Sequence, residues 1–186
     1  MSIALTAKRY RVARLILRWR RDRSGVTAIE FAIVAIPFLL FMYGIIAIGL
    51  FFFTTFAVEN GLKQAARLIR TGQAQKAHMT EVQFKNEVCS FLPGFIDCQD
   101  KLLVNVRSFA EADMTPVVGQ GECLNNGAFG SLTTYSPGVA NQVVLLTLCF
   151  EWELAKRIPF LQLGDMANGS RLIQAATVFR TEPYPE

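Results

Sequence analysis

Gly25, Val26 and Glu30 are the residues whose types and spacing point most directly to chemistry. A cut after Gly25 would free the amine of Val26 and leave Glu30 as the fifth residue of the new chain. A side chain at position 25 would obstruct the scissile bond, which is a reason for glycine there. The Glu30 carboxylate stands at the lip of 28 uncharged residues, Phe31 through Val58. That run exceeds the about 20 apolar residues needed to cross a hydrocarbon core. A charge at such a boundary costs about 2–3 kcal/mol or more and calls for a partner. The Val26 amine of a neighbouring processed copy would supply one. A simple anchor has no use for Glu30, since an apolar residue inserts at lower cost.

Other chemistry-bearing residues are few. His78 is the only histidine and lies in a polar linker, where solvent exposure is the expected state. Glu151 and Glu153 flank Trp152 and would share one strand face. Acid–base work is one reading of such a pair, and a solvated edge is the expected one; Glu111 and Asp113 read the same way. No Gly-rich phosphate loop, nucleophile elbow or metal-ligand spacing appears. No catalytic residue, cofactor or metal is therefore expected, and an enzyme on an anchor would need a polar pocket that the sequence does not advertise.

Four cysteines, Cys89, Cys98, Cys123 and Cys149, all follow the apolar run. An even count confined to one side suggests two disulfides formed in an oxidising space. Zinc is a poor rival without a Cys-x-x-Cys pair. Three connectivities are open. The Pro93-Gly94 turn favours Cys89 with Cys98, which leaves Cys123 to pair with Cys149 and pin the long polar stretch Ala112–Asn141 to a strand.

Charge orients the chain. Residues 1–25 hold eight cations against Asp22 alone, a net of +7, which leaves −3 of the overall +4 for everything after Gly25. The positive-inside rule places the N-terminus in the cytoplasm and residues beyond about 58 outside. The remainder is mildly acidic, so no nucleic-acid surface is indicated. The apolar run is too long for the core of a cleaved secretory signal. Residues 3–21 interleave arginines with apolar side chains, either a helix lying on the inner leaflet or a solvated flank.

The elements that would position these groups follow from periodicity. One helix is expected from Val26 to about Thr71, interrupted at Pro37, with Ala28 and Ala32 giving a small face for helix contact. Beyond Val58 it turns amphipathic, with Leu62, Ala65, Ala66 and Ile69 at helical spacing, and needs a sheet to lie against. Thr71-Gly72 ends it. Thr80 is the N-cap of a second helix that stops before Pro93-Gly94. Strands are expected over Leu102–Phe109, Val143–Trp152 and Ile173–Arg180, and a short helix over Leu154–Leu163 broken at Pro159. The fold class is α+β: one transmembrane helix extending into the periplasm, then a small domain with a short helix packed on an antiparallel sheet of about three strands. The expected divisions are a leader at 1–25, the helix at 26–72 and the domain at 73–186.

The stretch Ser24-Gly25-Val26-Thr27-Ala28-Ile29-Glu30-Phe31-Ala32 resembles the type IV pilin class, where a membrane peptidase cuts after a glycine and leaves glutamate at mature position five. With the span, the later Ala65-Ala66-Arg67 and the closing Arg180-Thr181-Glu182-Pro183, the chain resembles the TadE-like pseudopilins of tight-adherence (Flp) pilus systems. Phe31 stands where small pilins of such systems carry tyrosine. The resemblance implies cleavage between Gly25 and Val26 by a prepilin peptidase, and assembly contacts through Glu30 and Phe31. It also implies a single-pass place in the inner membrane. The partners would be other pilin or pseudopilin subunits and an assembly platform or secretin, and the role that of a minor pilin. The competing reading is an uncleaved, signal-anchored periplasmic adaptor of a pilus or secretion complex.

Overall fold

The computed structural model of the chain describes residues 25–109, 123–125, 128–130, 133–157 and 163–184. The leader at 1–24, Glu111, Asp113, Pro159 and much of the Ala112–Asn141 stretch lie outside the described residues. Two compact units are present, one reaching to Ile48 and one from Gly49 to Glu186.

In the first unit the described chain is helix. Helix α1, Val26–Arg70, includes Pro37 within it. From Phe31 to Ile46 its large apolar side chains are exposed on every side, Phe31 at 73% and Val34 at 68%. A helix that is apolar all round has no aqueous solution partner, and α1 is the one helix among the described residues long and apolar enough to cross a membrane.

The second unit takes in the C-terminal half of α1 as well as the residues from 73 onward. The reason is its stripe of Val58, Leu62, Ala65 and Ile69, all buried in this unit's core. After α1 come the single turn α2 (Gln73–Lys76), helix α3 (Glu81–Ser90), the turn α4 (Cys98–Lys101) and strand β1 (Leu102–Phe109). Short strands β2 (Leu124–Asn125) and β3 (Ala128–Phe129) pair with each other, and β4 (Val143–Trp152) and β5 (Arg171–Arg180) complete the main sheet. That sheet is antiparallel in the order β1-β4-β5. Its register sets Leu102 opposite Phe150, and Trp152 opposite Arg171. β5 therefore starts two residues before the expected Ile173, because the pairing with Trp152 carries it back. The architecture is α+β, as its patterning implies.

One sheet face supplies Val104, Val106, Val144, Leu146, Leu148 and Ile173 to the core. Against them pack the α1 stripe and Phe84 and Val88 of α3. β4 is central and buried along both faces, which explains why it is mostly apolar, Thr147 and Glu151 excepted, where β1 alternates. Thr80 caps α3 reciprocally: its hydroxyl accepts from the Gln83 N–H at 3.3 Å, and Gln83 Oε1 accepts from the Thr80 N–H at 2.9 Å. α1 ends at Gly72, whose φ of 74° lies in the left-handed region. The tail after β5 returns to this end. Glu182 donates its N–H to the Arg70 carbonyl at 2.8 Å, and its carboxylate meets Arg70 Nε at 3.3 Å. Where a helix was expected over Leu154–Leu163, a 3-10 turn covers Glu153–Arg157, with residues 158–162 outside the described chain.

Candidate functional site

Gly25 immediately precedes α1 and is exposed. A Cβ built on it would meet nothing within 4 Å, so among the described residues packing gives no reason for glycine there. Val26 opens the helix at 47% exposure and Phe31 projects at 73%. Val26 and Glu30 are four residues apart and so occupy one helix face, about 6 Å apart along the axis. Glu30 is exposed, and no ion pair with it occurs among the described residues. The geometry presents a backbone site free of packing constraints and a carboxylate one turn further on.

The second unit holds both disulfides. Cys89, at the end of α3, is joined to Cys98, the first residue of α4, with Cα atoms 5.7 Å apart. Cys123 is joined to Cys149 on β4 across 5.6 Å. The first bridge closes the loop carrying Pro93-Gly94-Phe95. The second fixes the segment before β2 onto the face of β4 that looks away from α1.

The carboxylate pair does not behave as one solvated edge. Glu153 is on the 3-10 turn and exposed, but Glu151 is 7% exposed on β4. The sheet return brings it donors from far along the chain. Ser170 Oγ and Asn168 Nδ2 each donate to Glu151 Oε1 at 2.7 Å, and Lys156 Nζ does so at 3.3 Å. Burial alone would raise the Glu151 carboxyl, but these three hydrogen bonds outweigh it and hold the group below its ordinary value. Lys101 Nζ bridges to Glu153 at 3.0 Å, and these contacts lower Glu153 as well. Sequence spacing could not reveal this cluster, because Asn168 and Ser170 reach Glu151 only through the β4–β5 connection. A cavity of about 280 Å³ opens beside it, walled by Leu50, Phe95, Phe150 and Trp152. Three donors converge on one oxygen of the Glu151 carboxylate, so the arrangement fastens the β4–β5 return to the strand. His78 is exposed, at a φ of 48°. Among the described residues no group of His, Cys, Asp and Glu is placed to hold a metal.

The fold and these sites define a protein with one helix suited to a membrane span, joined to a disulfide-bonded α+β unit. The family model described as TadE-like protein matches residues 25–67, from Gly25 to Arg67 of α1. The match agrees with the resemblance drawn from the sequence, and its bounds take in Gly25, Glu30, the apolar run and most of the buried α1 stripe. No curated protein and no solved structure matches the chain.

Proposed function

We propose that the protein is a minor pilin or pseudopilin acting in assembly of a tight-adherence pilus. In this reading a prepilin-type peptidase removes residues 1–25, and the mature helix is held in the inner membrane with the disulfide-bonded unit in the periplasm. There the helix packs against pilin helices, Glu30 meeting the Val26 amine of a neighbour, with Phe31 beside it. An assembly platform or secretin contacts the outer unit. No chemistry of its own is required, and in this reading Glu151, engaged by Ser170, Asn168 and Lys156, serves as a fastening. The observation that carries the reading is the TadE-like match beginning at Gly25, together with an exposed Glu30 that has no partner among the described residues.

Processing and assembly separate in one experiment. Gly25→Leu should insert and fold, since nothing lies within 4 Å of that position, yet keep its leader when co-expressed with the peptidase. Glu30→Ala should lose the leader normally and fail to support piliation. N-terminal sequencing of the membrane-extracted chains reads the first outcome and filament counts the second. Normal maturation of Gly25→Leu would overturn the processing assignment. Phe31, in place of the tyrosine of small pilins, favours the second reading, an uncleaved adaptor. Unchanged mobility of the wild-type chain with and without the peptidase would establish it.

A further inference from the structure

The exposed stripe of the outer half of α1 changes character along its length. Phe53 and Phe56 are 51% and 66% exposed, and the next positions on the same stripe, Asn60, Lys63, Arg67 and Arg70, are polar or cationic and exposed as well. The helix face opposite the core thus passes from aromatic to charged between Phe56 and Asn60. At 1.5 Å per residue, Phe53 lies about 15 Å along the axis before Lys63.

A second element reaches the aromatic side of that boundary. Phe95, in the loop between α3 and α4, stacks on Phe53 with ring centroids 5.6 Å apart and planes 30° apart. Phe95 is nevertheless 64% exposed, and the adjoining Gly94 is exposed too. The neighbours Leu92 and Ile96 are buried, so the loop is anchored from behind while its tip projects. The Cys89–Cys98 bridge closes its base.

We infer that the Pro93-Gly94-Phe95 tip dips into the outer leaflet beside α1, so that the second unit rests on the lipid surface instead of standing clear of it on its helix. The occupant is lipid because the aromatic patch continues the uncharged run Phe31–Val58, whose side chains are already exposed on every side in the first unit. The change to Asn60 and Lys63 falls where head groups and water take over, and lysine and arginine stems extend toward that level. Phe95 meets α1 at Phe53, on the aromatic side of the change, while its other flank borders the cavity that Lys101, Glu151 and Glu153 also line. An exposed aromatic held there by a closed loop finds apolar surroundings only in acyl chains or in another protein.

This inference rests on the reading of α1 as a membrane span, and the test keeps the two apart. The full wild-type chain is reconstituted in vesicles of phosphatidylethanolamine and phosphatidylglycerol containing a phospholipid with a diazirine on its acyl chain. After photolysis, label is mapped by peptide mass. Label on both the α1 run and the Phe91–Asp97 peptide is the expected result. Phe95→Asp should reduce the loop label several-fold and leave the α1 label unchanged, with the Cys89–Cys98 bridge intact on non-reducing mapping. Label on α1 alone in the wild type would overturn the inference and leave the span standing, whether water or a second copy covers the tip. Label on neither peptide would overturn the span and the inference with it.

Discussion

Glu151 keeps its charge where burial opposes it, because Ser170, Asn168 and Lys156 all donate to the same carboxylate. Its carboxyl is held below the ordinary value of 4.5, so the folded state gains stability above that pH. The gain is lost as pH falls from 4.5 through the lowered folded value. Glu151→Gln should flatten this part of the acid unfolding curve, leaving the smaller contribution of exposed Glu153. Glu151→Ala should destabilise by about 1–3 kcal/mol, since it removes the acceptor shared by Ser170, Asn168 and Lys156 and leaves the buried Ser170 hydroxyl only Asn168 Oδ1. Denaturant titrations followed by near-ultraviolet circular dichroism across the acid range would read both variants. An unchanged midpoint for Glu151→Ala would show that the cluster contributes nothing. The sequence suggested a solvated edge here because Glu151 and Glu153, two residues apart, would share one strand face. The donors that change the answer come 17 and 19 residues later, and only strand pairing brings them close. By contrast, Thr80 was legible as the N-cap of α3, because a cap's partner lies within one turn.

Elements were legible where one physical pattern decided them. β1 alternates, β4 is an apolar run bounded by polar chain, and α1 has a length that only helix accommodates. The division between units was harder to read. Periodicity showed that the C-terminal half of α1 needs a partner surface, while the helix end at Thr71-Gly72 set the expected start of the domain at residue 73. The core placement of Val58, Leu62, Ala65 and Ile69 assigns that half to the domain. Gly72 itself is a junction: its φ is 74°, and a Cβ there would overlap the Tyr184 ring. Gly72→Ala should cost about 1–2 kcal/mol from the left-handed backbone alone, with the ring overlap added. Gly72→Ala combined with Tyr184→Ala should retain the backbone share of that loss. Thermal melts of the two variants would separate the contributions, and a Gly72→Ala variant as stable as wild type would remove the junction's importance.

At the scale of the whole molecule, the second unit is a three-stranded sheet with helices on one face, and its other face is fastened by covalent means. Cys123 and Cys149 are 2% and 3% exposed, and their bridge spans a sequence separation of 26. Replacing both by serine should lower stability by about 2–4 kcal/mol in the chain-entropy picture. Denaturant midpoints of the oxidised wild type and the double variant would measure it, and equal midpoints would make the bridge incidental. The route of α1 through this unit also decides how the unit carries load. Val58, Leu62, Ala65 and Ile69 lie in the core along its C-terminal half, and the Arg70 carbonyl is held by the returning tail. A pull along that segment's axis meets these contacts together, in shear, whereas a sideways pull would open them one after another. Tension directed down the helix therefore meets the domain in its mechanically strong direction. Were the packing to yield, the two disulfides would withhold the chain they enclose from extension, and the domain would lengthen less than its residue number allows.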